Sequence, residues 1–220
     1  MVFIIPFSAV FISCERFGLK NRRAYCILQM RFGTSSTGIT GGKIKGGKRC
    51  EMRLFVAIEL DDRMKKQLML VQDDMRAQRV EGKYPEGDNL HMTLAFIGEY
   101  PDPDEVLDVL DTISFEPFTI RVNGYGCFDE VIWWAGIESC PPLDAYVKRL
   151  RRALAEAGIP YDRKQFRPHI TLVRDAIYDE APVFKTPDAE MEVSFISLMR
   201  SDSGKHGMNY SMVSIVEAVE

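Results

Sequence analysis

From Met52 onward the chain switches repeatedly between two hydrophobic periods. Residues 52–60 (MRLFVAIEL) are a run of β-formers and predict a strand. Asp61 and Asp62 stand where a helix N-cap belongs. Met64, Leu68, Val71 and Met75 then recur at helical spacing, which predicts an amphipathic helix over 62–79. Residues 80–88 show no period and read as a loop, and 89–97 (NLHMTLAFI) read as a strand ended by Gly98. Pro101 to Pro103 open a helix running to about Ile113, with acids in its first turn. Residues 117–123 and 130–137 predict two further strands. Pro141 and Pro142 introduce a long helix with Leu143, Tyr146, Leu150, Leu154 and Ala157 on one face and Gly158 at its end. Residues 168–174 (PHITLVR) predict a strand, and 190–200 and 209–216 a final pair joined by SDSGKHGM.

The resulting order, β-α-β-α-β-β-α-β-β-β, breaks βα alternation with strand pairs, which argues against one doubly wound parallel sheet. An α+β fold of two similar lobes fits better. Each half holds a long amphipathic helix, a loop and a strand beginning His-x-Thr-Leu, and the two histidines lie 78 residues apart. That distance is too long for a solenoid repeat and suits a duplicated half-domain.

Composition changes the picture in one respect. The 220 residues are 46% hydrophobic and 27% charged, the balance of a globular chain, and no run of 18 apolar residues predicts a membrane span. The net charge of −4 is divided unevenly: residues 1–51 carry nine Lys/Arg against two acids, and 52–220 carry 19 against 30. An acidic body of −11 is a poor grip for a long duplex, which needs a basic face, but it leaves room for a local basic pocket. Cys14, Cys26, Cys50, Cys127 and Cys140 form neither a CxxC nor a zinc-type pattern and read as thiols of a reducing, cytoplasmic setting.

The first 51 residues look foreign to the rest. Residues 1–13 are apolar and Cys14 invites a lipoprotein reading, yet no Lys or Arg precedes the run as a signal peptide requires. The stretch GTSSTGITGGKIKGG has no period and reads as poorly ordered, and it lacks the G-x-x-x-x-G-K-[ST] spacing of a phosphate loop. Purine-rich codons would encode GGKIKGGKR just before Met52, where a bacterial ribosome-binding site would lie. The expectation is therefore a functional domain over 52–220, translation starting at Met52, with 1–51 a disordered or mis-assigned extension.

The chemistry sits in His91-Met92-Thr93-Leu94 and His169-Ile170-Thr171-Leu172. Side chains alternate along a strand, so each His shares a face with its Thr while Met92, Leu94, Ile170 and Leu172 face the core. One such His would most simply be structural; two in matched settings, one per half, would face each other if the halves pair by a twofold. Two imidazoles titrating near pH 6.5 suit acid–base work, one neutral and one charged. Neighbouring hydroxyls can bond phosphate oxygens. No third ligand falls at zinc spacing and no G-x-S-x-G turn is present, so neither a metal cofactor nor a serine triad is expected.

Paired H-x-T motifs make the chain resemble the 2H phosphoesterase superfamily, and more closely its RNA 2′,3′-cyclic phosphodiesterases, historically called 2′-5′ RNA ligases. The matching stretches are Met52-Arg-Leu-Phe-Val-Ala-Ile, Asn89-Leu-His-Met-Thr-Leu-Ala-Phe-Ile-Gly, Phe166-Arg-Pro-His-Ile-Thr-Leu-Val-Arg, and Phe195-Ile-Ser-Leu-Met-Arg-Ser followed by Tyr210. The resemblance covers 52–220. It implies a bilobal α+β fold with both motifs lining a central groove, and hydrolysis of a 2′,3′-cyclic phosphate to a 2′-phosphomonoester. His91 would donate a proton to the leaving 3′ oxygen and His169 accept one from water; the sequence alone leaves these two roles interchangeable. Thr93 and Thr171 would hold the phosphate, Arg174 contact it, and Phe96 stack on the base. Read without the resemblance, Arg174 has the alternative of a solvated strand-end residue, and Phe96 that of a core residue on the Met92/Leu94 face.

Other residues carry less. Arg167 adds charge at the groove mouth, His206 reads as a solvated loop residue, Trp133 and Trp134 divide between core and outside with a role in packing or in one groove wall, and Lys148-Arg149-Arg151-Arg152 reads as a wet helix face. Two rivals keep their place: a phosphodiesterase for a small cyclic nucleotide or ADP-ribose cyclic phosphate, and a non-catalytic module binding RNA ends. No membrane or obligate protein partner is expected, and the chain reads as a monomer.

Overall fold

The computed structural model describes residues 51–204 and 207–219; the readings made above for residues 1–50 and for His206 lie outside them. The elements are β1 (Met52–Glu59), α1 (Asp62–Ala77), β2 (Glu81–Lys83), a 3₁₀ turn (Gly87–Asn89), β3 (His91–Tyr100), α2 (Pro103–Asp111), β4 (Phe118–Phe128), β5 (Ile132–Ile137), α3 (Pro141–Glu156), β6 (His169–Ile177), β7 (Glu190–Val193), β8 (Phe195–Gly204) and β9 (Gly207–Glu217).

The strands form two sheets, ordered β3-β1-β8-β9 and β2-β6-β5-β4-β7. Every pairing between them is antiparallel. Setting β2 aside, the orders correspond one to one: each His-x-Thr strand (β3, β6) pairs with the strand that precedes its helix (β1, β5). The helices exchange halves. α1 packs on β6 and α3 packs on β3, so each helix covers the motif strand of the other half. This is an α+β fold with a pseudo-twofold, and the shared core runs through both sheets: Leu54, Val56, Met64, Leu68, Met92, Leu94, Leu143, Leu150, Ile170 and Leu172 are sealed from solvent within one cluster. Each such side chain contributes about 1.5–3 kcal/mol on burial.

The helix starts follow from their residues. The Asp61 side chain accepts the Met64 N–H at 2.7 Å, and Asp102 caps α2. Gly158 follows α3 with φ +75°, the left-handed turn that ends a helix without Cβ strain.

The main differences from the sequence reading lie in four places. Residues 80–88 are not all loop, since β2 adds to the edge of the second sheet and a 3₁₀ turn precedes β3. The strand of His91 does not stop at Gly98, because Gly98 adopts φ +85° and lets it continue to Tyr100. β4 runs on to Phe128, closing a hairpin with β5 through Asp129 and Glu130. Residues 190–200 are two strands, because exposed Ser194 breaks the run: β7 pairs with β4 and β8 with β1, so the chain crosses from one sheet to the other. Alternation inside each half is preserved, which hid the crossing.

Candidate active site

In β1, Arg53, Phe55, Ala57 and Glu59 share one face, and the register sets Ala57 opposite Thr93 and Glu59 opposite His91. Leu94 then has no partner, since Ala95 is the next residue paired, with Val56. This is a bulge one residue after Thr93, and it inverts the alternation. Phe96 therefore falls opposite Phe55, on the Thr93 side, and packs with Tyr210 against Phe55, Ala57 and Met199. The core reading of Phe96 on the Met92/Leu94 face is thus corrected. A second bulge at Ile97 returns Glu99 to the position opposite Arg53.

β6 repeats the device. Gly136 lies opposite His169 and Trp134 opposite Thr171, Leu172 is unpaired, and Val173 meets Trp133 on the back face. Arg174 is thereby turned toward Thr171, and its Nη2 donates to Thr171 Oγ1 at 3.4 Å. The carbonyl freed by this bulge is claimed from the other half: buried Gln72 of α1 donates its Nε2 to Leu172 O and Pro85 O, both at 3.0 Å.

Both histidines are fixed by the same bond. His91 Nδ1 lies 2.7 Å from Asn89 O, and His169 Nδ1 lies 2.6 Å from Arg167 O. A carbonyl accepts only from N–H, so each ring carries its proton on Nδ1 and its lone pair on Nε2. His91 Nε2 is 3.1 Å from Thr93 Oγ1, which donates to it. Aromatic rings wall both imidazoles. Phe55 and Tyr210 lie 5.0 and 4.9 Å from His91, and Phe128 and Trp134 lie 5.1 and 5.9 Å from His169. Trp134 reaches that place across Gly126, where any Cβ would stand 2.4 Å from its ring.

These surroundings hold both rings below the ordinary histidine value. Burial dominates for His91, pushing it down to about 4, against the Asn89 carbonyl bond; the charges of Arg174 and His169 add to the fall. His169 is lowered by burial and by Arg174, against the Arg167 carbonyl bond. Both are therefore neutral at pH 7, each able to accept a proton. Among the described residues no three His, Cys, Asp or Glu side chains converge as a metal-ligand set.

Of the six residues singled out in the sequence, Thr93 and Phe96 thus share the face of His91, Thr171 and Arg174 that of His169, and His91 lies near enough to His169 and Arg174 to feel their charges. Phe55, Phe128 and Tyr210 were not assigned there, and Trp134 was given only packing or one groove wall. Phe55 was readable from its parity with the face opposite His91, but Phe128 and Tyr210 needed the register of distant strands. Arg151 departs from the wet-face reading: its Nη1 donates to Lys164 O at 2.7 Å and its guanidinium lies over Tyr161 and Phe166. It pins the loop that leads into His169.

The family model of the 2′-5′ RNA ligase superfamily matches residues 70–205. The chain belongs to the 2′-5′ RNA ligase superfamily. Among its relatives in this superfamily, the RNA 2′,3′-cyclic phosphodiesterase of Aquifex aeolicus is 32% identical over 172 residues, 70% of this chain and 87% of that one. The protein of the same name from Escherichia coli is 32% identical over 131 residues, 56% of this chain and 72% of that one. Among solved structures, apo LigT of E. coli superposes with a TM-score of 0.67 at 26% identity, covering 77% of this chain and 99% of LigT. Among the described residues of this superfamily member no helix is long and apolar enough to cross a membrane.

Proposed function

We propose that this chain is an RNA 2′,3′-cyclic phosphodiesterase that opens a terminal cyclic phosphate to a 2′-phosphomonoester. The observation that carries the reading is the pair of imidazoles, one from each half, with Nδ1 locked to a backbone carbonyl and the lone pair on Nε2. Curated relatives of that name and the hydroxyls and guanidinium beside the rings support it.

The chemistry is an in-line displacement. Water attacks phosphorus as His169 Nε2 takes its proton. The bond from phosphorus to the 3′ oxygen breaks, and that oxygen takes the proton from His91 Nε2. One water is consumed, and the two rings exchange protonation states, reset by solvent. Thr93, Thr171 and Arg174 hold the non-bridging oxygens where charge grows. Burial makes His91 hard to charge. The donor therefore gains its proton in the complex, where the phosphodiester anion opposes Arg174 and favours an imidazolium. Phe96, beyond Thr93 on the same face, offers a stacking surface for the terminal base.

We place the enzyme in a reducing cytoplasm as a monomer, with RNA ends as substrate. Cys127 and Cys140 are free thiols, and the acidic body disfavours long duplexes. The test is the product. With an oligoribonucleotide ending in 2′,3′-cyclic phosphate, the chain gives a 2′-phosphate, identified by its resistance to a 3′-specific phosphatase. An untouched cyclic end contradicts the reading.

A further inference from the structure

Past the catalytic pair, the groove face of the first sheet continues outward along β1 and β3. The row from His91 runs through Thr93 and Ala57 to Phe96 and Phe55, and ends on Arg53 and Glu99. Phe55 and Tyr210 meet edge-on at 5.3 Å, so this face is an aromatic strip. Arg53 closes it, its guanidinium 5.0 Å from the centre of the Phe96 ring.

Arg53 is not among the arginines of this acidic body that are tied to a carboxylate. Arg76, Arg121, Arg152 and Arg200 each hold a carboxylate. Among the described residues no carboxylate comes within ion-pair distance of Arg53, although Glu99 is its register partner, and its side chain is exposed. An exposed guanidinium over an aromatic ring with no carboxylate in range has N–H donors to offer at the rim, a fit for a phosphate beside a stacked base.

We propose that this outer end is an RNA-strand subsite, in which Arg53 binds the first internucleotide phosphate 5′ of the nucleoside that carries the cyclic end. The inference rests on the phosphodiesterase reading and adds that the enzyme measures a strand, not only its last nucleotide. Phe96 accepts the terminal base, and Arg53, held on that ring, stands where the chain continues. Selection of oligonucleotides over mononucleotides then comes from one cation at the rim.

The test compares cytidine 2′,3′-cyclic monophosphate with a pentaribonucleotide ending in the same cyclic cytidine, using the full chain and its Arg53→Gln and Arg53→Lys variants. Wild type is expected to prefer the pentanucleotide, with kcat/KM falling as salt rises. In Arg53→Gln the loss on the pentanucleotide exceeds the loss on the mononucleotide by about tenfold. The slope of log kcat/KM against log salt becomes shallower by about 0.7, the share of one phosphate on a single strand. Arg53→Lys recovers the slope because it keeps the charge. Equal losses on both substrates, no loss, or an unchanged slope overturns the subsite while leaving the phosphodiesterase reading intact. Wild type that cleaves the mononucleotide alone also overturns it. Wild type that cleaves neither overturns the reading on which the subsite rests.

Discussion

Phe96 and Arg174 occupy the same place in the two halves of the molecule. Each lies five residues after its histidine, and each is turned into the groove by a bulge at the leucine that follows the motif threonine, Leu94 or Leu172. The pseudo-twofold therefore extends beyond the histidines. It places an aromatic ring on one side of the reaction centre and a cation on the other, so base and phosphate meet different chemistry at equivalent positions.

The depressed histidines set the pH dependence. Turnover requires one ring charged and one neutral. Free-enzyme values control kcat/KM, so its optimum is expected below pH 6.5 and above about 4, where the pair holds one proton. The bound phosphodiester raises both rings, so the kcat optimum shifts to higher pH than that of kcat/KM. Steady-state kinetics from pH 4 to 9 check this; coincident optima above pH 7 contradict it.

The same shift enters stability. A histidine lowered in the folded state is charged first in the unfolded chain, which therefore binds more protons between pH 6.5 and about 4. Stability is full above pH 6.5 and falls as the pH drops through that window. Thermal melting of His91→Asn should show a flatter fall than wild type; a parallel curve means the ring is not lowered.

The bulge in β6 depends on a side chain 100 residues away. Gln72→Leu removes both donors and leaves Leu172 O buried without a partner, at a cost of about 1–3 kcal/mol. Denaturant unfolding measures it. The loss in kcat/KM should be larger on substrate than Leu substitutions at exposed α1 positions produce, because Thr171 and Arg174 flank the bulge.

Gly126 makes room for Trp134 beneath His169. Gly126→Ala places a methyl inside the indole and forces it to move, for a cost of about 1–3 kcal/mol and a lower kcat. A variant with wild-type stability and kcat shows that the tryptophan does not position the imidazole.

Most of the architecture was legible because the local signals agree: capped amphipathic helices, β-rich runs, and a doubled His-x-Thr-Leu. The parts that were not legible share a cause. The face of Phe96 depends on a bulge, which shifts parity without any mark in the residues, and strict alternation sent it to the core. The strand break at Ser194 and the pairing of β2 arise from contacts with strands far along the chain. Tyr210 beside His91 likewise follows from the register of β8 and β9, which no local pattern encodes.

The most direct measurement is the fate of a 2′,3′-cyclic phosphate end in the presence of EDTA, for wild type, His91→Ala and His169→Ala. The account predicts a 2′-phosphate from wild type that EDTA does not suppress, and a loss of about 10²–10⁴ in kcat for each variant, with folding intact by circular dichroism. A cyclic end left unopened by wild type, or opened at wild-type rate by either alanine variant, contradicts the two-histidine mechanism.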